Sequence, residues 1–319
     1  MKRYLLLIAG LLTFSAIASA QEEETKLISP DGTYMFEKRD DGELFLDVYN
    51  PAEGSETSIN GKEKPTILFM FGGGFIKGQR DDASYHKWFK MLTDNGFRVI
   101  SIDYRLGLKG SNKVGVAQVN VLDKAIHWAV EDLFSATNYI IKNAGQLEVD
   151  PSNIVISGSS AGAISVMQAE YELCNKTKWA AGLPEGFKYA GVMSFSGAIL
   201  SREGELDYAR MPAPTLMLHG TADELVNYKQ IKFFNLGFFG GGKLVKRFEK
   251  LGFDYNMYHF VGYGHEIAGS METTFDLQMK FIESNVMKGQ RRIIEAWVDD
   301  PGVYKGFGVQ SRKDLYGKE

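Results

Sequence analysis

Apolar positions along the chain fall into two alternating patterns. Short runs of apolar, β-branched and aromatic residues recur at Thr33 to Phe36, Leu44 to Tyr49, Thr66 to Phe71, Arg98 to Tyr104, Asn153 to Ser157, Gly191 to Phe195, Thr215 to His219 and Tyr255 to Val261, which predicts eight strands. From the third onward the runs are nearly continuous in apolar residues, the pattern of parallel strands covered on both faces. Asp40-Asp41-Gly42 between the first two is a hairpin signal and predicts an antiparallel opening. Elsewhere apolar residues lie three or four apart, clearest in Ile126, Val130, Leu133, Phe134, Ile140 and Ile141, and again in Phe275, Met279, Ile282 and Val286, the spacing of amphipathic helices. This alternation predicts an α/β fold: a doubly wound, mostly parallel sheet of about eight strands with helices on both faces. Ligands of such sheets bind beyond the carboxyl ends of the strands.

Composition narrows the chemistry. With 44% hydrophobic and 24% charged residues among 319, the chain has the make-up of an ordinary globular domain. Its 36 basic and 40 acidic side chains give a net charge of −4, which argues against a polycationic nucleic-acid binder. Cys174 is the only cysteine, so an intrachain disulfide framework and a cysteine-based zinc site are both excluded. Lys2 and Arg3, the apolar run Leu5 to Leu12, and Ala18-Ser19-Ala20 before an acidic stretch predict a signal peptide over residues 1–20 and export to the periplasm or the outside. That run falls short of the ~20 apolar residues that span a bilayer. The expected layout is then one domain over residues 21–287, followed by a C-terminal extension, 288–319, with no assigned role.

The strongest motif is Gly158-Ser159-Ser160-Ala161-Gly162, directly after the strand Ile154-Val155-Ile156 and before a helix-compatible stretch. This is G-x-S-x-G at a strand-to-helix turn, a setting that pushes one serine oxygen out of the sheet. Ser160 is the expected nucleophile and Ser159 a hydrogen-bonded turn residue. A serine hydroxyl needs a base to take its proton. Of the five histidines, His86 and His127 fall on helices, His219 ends a strand and is expected to brace the next loop, and His259 lies inside a strand. His265, in Gly262-Tyr263-Gly264-His265 just past the last predicted strand, is the expected base, with His259 second. Asp223, ending His219-Gly220-Thr221-Ala222-Asp223, is the expected orienting acid, and the adjacent Glu224 stays open as an alternative.

Phe71-Gly72-Gly73-Gly74-Phe75 follows the third strand, and its glycines let backbone N–H groups approach a substrate closely. The amides of Gly73, Gly74 and Ala161 are the expected oxyanion donors. Gly237 to Lys243 imitates the front of a phosphate-binding loop, but Leu244 stands where a magnesium-binding Ser or Thr is needed, and a mobile apolar loop is expected instead. Phe71, Phe75, Phe238 and Phe239 are taken as candidate substrate contacts, with Phe233 and Phe234 crowding the same stretch.

With these residues in place, the sequence resembles the α/β-hydrolase superfamily, in particular secreted carboxylesterases near the hormone-sensitive-lipase-like and carbohydrate-esterase groups. The chain order Ser160, Asp223, His265 is that of this superfamily. Asp150-Pro151-Ser152-Asn153-Ile154 resembles its lead into the nucleophile strand, and Asp103-Tyr104-Arg105 its turn after the fourth strand. Phe71 stands where such families place the histidine of His-Gly-Gly-Gly. The resemblance, over about residues 33 to 287, implies an α/β-hydrolase fold and a serine esterase that needs no metal or organic cofactor. The short stretch Ser201 to Met211 implies no large lid and an open site for short acyl groups, on a small molecule, a carbohydrate or an aromatic alcohol. A prolyl-oligopeptidase-like peptidase and a noncatalytic binding module on the same scaffold are the rival expectations.

Overall fold

The computed structural model describes residues 27–110 and 119–300; the expected signal peptide and residues 301–319 of the expected extension lie outside them. Nine strands form the central sheet: β1 (Gly32–Arg39), β2 (Gly42–Tyr49), β3 (Thr66–Met70), β4 (Val99–Ile102), β5 (Ile154–Ser159), β6 (Gly191–Phe195), β7 (Thr215–Gly220), β8 (Tyr255–Phe260) and β9 (Ile293–Val298). Their order is β1-β2-β4-β3-β5-β6-β7-β8-β9. β2 runs antiparallel to both of its neighbours, and the pairings from β4 to β9 are parallel. The antiparallel opening and the eight expected strands are all present.

The ninth strand falls within the stretch set apart as an extension. β9 pairs with β8 in register from Tyr255–Ile293 to Phe260–Val298. Ile293, Glu295 and Trp297 face solvent while the residues between them are half-buried. Such alternation belongs to an edge strand with one open face, a weaker signal than the fully apolar runs of β3 to β6. Those central strands are buried at every residue, as the crossover helices require.

α1 (Ala83–Asp94) starts at Asp82, whose side chain accepts from the Ser84 amide. Tyr85, Trp88, Phe89 and Leu92 give it an apolar face, and Trp88 and Phe89 pack on Phe69 of β3 with ring centroids 5.1 and 5.5 Å away. His86 falls on this helix as expected, buried and bonded to Asp81 at 2.8 Å. α2 (Val119–Lys142) packs against α3 (Ala161–Cys174), which runs from the serine turn through the core; Cys174 near its end is buried and donates to Glu170. α4 (Gly241–Leu251) packs on β7 and β8. α5 (Phe275–Phe281) continues into a π-helical turn, Ile282–Met287, and its Gln278 accepts from the Trp88 indole at 2.8 Å.

A second, three-stranded antiparallel sheet of Gln230–Phe233, Leu236–Gly240 and Ala198–Ser201 corrects the expectation of a mobile loop at 237–243. That stretch is a strand entering α4. Its glycines serve packing: a Cβ on Gly240 would lie 1.9 Å from the Asn227 carbonyl oxygen, and one on Gly242 2.4 Å from the Tyr228 ring. Between β6 and β7 the chain makes only a strand of this small sheet and a loop, and no helical cap is built there.

Candidate active site

The turn between β5 and α3 holds Ser160 at φ 51°, ψ −112°, inside the left-handed φ range that a β-carbon disfavours. Strain of this kind costs on the order of 1–3 kcal/mol and persists only where surrounding packing enforces it. Two glycines do so. A Cβ on Gly158 would sit 2.3 Å from the Gly162 carbonyl carbon, and one on Gly162 2.0 Å from the Met70 oxygen at the end of β3. The Ser160 amide donates to Phe195 O at the end of β6, pinning the turn from the other side.

Ser160 Oγ lies 2.8 Å from His265 Nε2, and His265 Nδ1 lies 2.8 Å from Asp223 Oδ2. The three side chains come from the carboxyl ends of β5, β7 and β8, and all are buried, Ser160 retaining 8% exposure. Asp223 also accepts from the Leu225 and Val226 amides through Oδ1, both at 3.0 Å, so the following turn and the contact to histidine are served by different oxygens. Burial by itself would raise its pKa, but hydrogen bonds from His219 and His265 outweigh that and hold the carboxyl well below the usual carboxylate range. The carboxylate therefore fixes the proton of a neutral His265 on Nδ1 and leaves Nε2 free to accept from Ser160. Glu224 has no such contact to His265 among the hydrogen bonds of the described residues.

The other histidines are engaged elsewhere. His219 Nδ1 accepts from the Gly241 amide at 3.3 Å, so Nε2 carries its proton, directed at Val226 O at 2.9 Å with Asp223 Oδ2 at 3.4 Å. It braces the loop after β7, as expected, and also borders the acid. His259 sits between the Tyr228 hydroxyl at 2.7 Å and Glu295 at 2.8 Å, stacked under Trp297. His127 lies between Asp123 and Glu172, stacked on Trp179.

A cavity of about 320 Å³ opens over Ser160 and His265. Gly72, Gly73 and Gly74 line one side, and Phe71 contributes its floor. The loop is folded tightly back: the amides of Ile76 and Lys77 donate to Gly73 O, and a Cβ on Gly73, whose φ is +118°, would fall 2.0 Å from Lys77 O. Gly73 and Gly74 line the same cavity as Ser160, and Ala161, at the start of α3, follows the serine directly in the chain. Phe71 stacks on Tyr104 at 4.4 Å, and the Tyr104 hydroxyl donates to Phe71 O at 2.9 Å. Asp103 accepts from the Phe45 amide and Arg80, and Arg105 pairs with Asp132 and Glu131, so the whole Asp-Tyr-Arg turn is anchored beneath the glycines.

Of the four expected aromatic contacts, only Phe71 lines this cavity. Phe75 is buried edge-on to Tyr104, and Phe239 is buried in the small sheet with Phe238 beside it. Phe233 and Phe234 stand out at its hairpin tip, 62% and 83% exposed. Proximity in sequence between the acid and the base suggested a wall to the site; the antiparallel pairing of 230–233 with 236–240 carries these rings away from the lining instead. The cavity is completed by Lys77, Asp82, Ser84, Tyr85 and Leu225. Asp82 caps α1 and Ser84 and Tyr85 lie on its first turn, where no local pattern signals a site, and the packing of α1 on β3 brings them to it; Lys77 belongs to the glycine loop, its amide donating to Gly73 O. Among the described residues no cluster of three or more His, Cys, Asp or Glu is arranged to hold a metal ion, and no helix is long and apolar enough to cross a membrane.

Residues 46–178 match the model of the BD-FAE family. Gut esterase 1 of Caenorhabditis briggsae is 32% identical over 107 residues, 34% of this chain and 18% of that protein. A non-reducing polyketide synthase of Emericella nidulans is 32% identical over 132 residues, 41% of this chain and 5% of that protein. The chain thus spans less than a fifth of the length of either relative. A thermophilic esterase from Thermogutta terrifontis superposes with a TM-score of 0.54 at 22% identity, covering 79% of this chain and 91% of the other. With a strand order, crossover pattern and serine turn of this kind, the chain is an α/β-hydrolase in fold, and over residues 46–178 it carries the sequence pattern of the BD-FAE family.

Proposed function

We propose that this protein is a serine carboxylesterase that hydrolyses short-chain esters through an acyl-enzyme. The observation that carries the reading is the unbroken line from Ser160 Oγ through His265 to Asp223, each contact 2.8 Å, at the mouth of a cavity. His265 Nε2 takes the Ser160 proton as the oxygen attacks the ester carbonyl, and Asp223 stabilises the imidazolium that results. Charge builds on the carbonyl oxygen beside the amides of Gly73, Gly74 and Ala161, where each well-placed donor contributes about 3 kcal/mol. The imidazolium then protonates the departing alcohol. Water, deprotonated by the same nitrogen, attacks the acyl-enzyme and releases the acid.

Two features support a short acyl group and a polar alcohol. The cavity is small and carries no cap among the described residues, and similarly folded structures of the Thermogutta terrifontis enzyme carry propionate and butyrate. Its lining joins the apolar Phe71 and Leu225 to the polar Lys77, Asp82 and Ser84, a mixture suited to a hydroxyl-rich alcohol such as a sugar. Export, read from residues 1–20, would put the enzyme where such esters are met outside the cell; N-terminal sequencing of the secreted protein, with Gln21 as first residue, tests it.

Purified protein and its Ser160→Ala variant should be assayed on p-nitrophenyl acetate, acetylated xylan and a dipeptide anilide. Turnover of the esters by the parent and none by the variant is expected. Turnover surviving in the variant, or turnover of the anilide alone, would overturn the esterase reading.

A further inference from the structure

Tyr85 is buried on the first turn of α1 with its hydroxyl at the cavity, where two pieces of backbone meet. The hydroxyl oxygen accepts from the Gly72 amide at 2.9 Å. Ser159 Oγ, on the neighbour of the nucleophile, stands against the same glycine: a Cβ on Gly72 would touch both it and the Tyr85 hydroxyl. Ser159 Oγ in turn spends its only proton on Ala268 O, at 2.8 Å, in the short 3₁₀ helix that begins at His265. The Gly72 N–H donates to Tyr85 and the Ser159 O–H to Ala268, and the phenol keeps its own proton. Burial raises the phenol's pKa, which keeps that proton in place.

This pair of adjacent bonds ties the glycine loop to α1 and the serine turn to the histidine segment, the pieces of backbone that must keep register for the proposed reaction. It also occupies the amide of Gly72 and so fixes the Phe71–Gly72 peptide, directly before the peptides that carry the Gly73 and Gly74 amides. The space around it is close-fitting: a Cβ on Gly72 would lie 3.1 Å from Ser159 Oγ and 3.3 Å from the Tyr85 hydroxyl. Phe71 stands where related esterases place a histidine and offers no polar atom for bracing. Tyr85 supplies that brace from a different element.

We propose that Tyr85 is a positioning residue for catalysis: its hydroxyl holds the oxyanion loop in register with Ser160 and His265. The proposal rests on the esterase reading above. Displacement of donors by a fraction of an ångström chiefly weakens interactions made in the transition state, and misplacements of about 1 Å can cost roughly 100-fold. Tyr85→Phe keeps the ring and its packing on Phe69 and removes only the hydroxyl.

The test is steady-state kinetics of Tyr85→Phe on p-nitrophenyl acetate, paired with inhibition by phenylboronic acid, which adds to the serine as a tetrahedral anion. We expect kcat to fall roughly 10- to 100-fold with KM changed less than about threefold, and the boronate inhibition constant to rise in parallel with the loss in kcat. Circular dichroism and thermal melting establish that the variant is folded at the assay temperature. Ser159→Ala, which removes the neighbouring bond to Ala268, should reproduce the pattern more weakly. Unchanged kcat and boronate affinity in a folded Tyr85→Phe protein would overturn the proposal while leaving the esterase reading intact. A KM rise alone would also overturn it, because it would make Tyr85 a substrate contact. If the parent protein neither hydrolyses the ester nor binds the boronate, the esterase reading itself fails.

Discussion

Asp223 is where single-residue chemistry is most exposed to test. Its two oxygens have separate duties, Oδ1 receiving two loop amides and Oδ2 facing His265 with His219 behind it. In Asp223→Asn the amide oxygen must stay with the loop N–H groups, which turns the NH₂ toward His265 Nδ1. That forces the imidazole into the tautomer with its proton on Nε2, aimed at Ser160. The expected result is a loss of roughly 10³- to 10⁴-fold in kcat with the fold retained, read by steady-state assay and circular dichroism; a loss below tenfold would contradict the assigned role. Ser160, Asp223 and His265 were legible as a set because each follows a strand and glycine neighbours flag the turns. Tyr85, Lys77, Asp82, Ser84 and Leu225 were not, since nothing local distinguishes them from ordinary loop and helix residues; the packing of α1 across β3 brings Asp82, Ser84 and Tyr85 to the cavity, and the fold-back of the glycine loop brings Lys77. The misplaced Phe238 and Phe239 have the converse cause, a hairpin whose direction no composition announces.

Elements hold these residues where they are, and the serine turn depends on missing side chains. Gly162→Ala puts a methyl group 2.0 Å from a backbone oxygen at the end of β3. Neither partner is a flexible side chain, so the turn must shift. A stability loss of about 1–3 kcal/mol is expected by denaturant unfolding, with ester hydrolysis falling further than the folded fraction accounts for. An active variant of parental stability would show that this turn tolerates what the geometry forbids. On the far side of α3, Glu172 meets His127 of α2, which also reaches Asp123, itself paired with Arg202. Burial would lower the His127 pKa, but the two carboxylates outweigh it and raise it to about 9. A histidine raised in the folded state stabilises fully below its unfolded pKa of about 6.5, and that contribution is lost as pH rises through about 9. Unfolding free energy should therefore decline between those values in the parent and decline less in His127→Gln; equal slopes would refute the coupling. α2 and α5 could be read from spacing alone because each buries one face, whereas the strand Gln230–Phe233, exposed at every residue, offered no such pattern.

For the whole molecule, the parallel core and antiparallel opening follow from where the apolar runs are continuous and where they alternate. The edge was harder to see. β9 covers the otherwise open side of β8, a strand buried at five of its six positions, and Glu295 and Trp297 of β9 clasp His259 within it. Ending the chain after residue 291 should leave β8 as an unprotected edge, with a lower melting temperature and aggregation on concentration; a soluble, equally stable product would make β9 dispensable. What the assembled sheet accomplishes is convergence: β5, β7 and β8 deliver hydroxyl, carboxylate and imidazole to one cavity. The most direct test of that convergence is reaction with a fluorophosphonate, with the adduct mapped by peptide mass spectrometry and its rate of formation followed. The account predicts one adduct, on Ser160, absent from Ser160→Ala and formed at least about 100-fold more slowly in His265→Ala. An adduct on another residue, or an unaltered rate without His265, would contradict it.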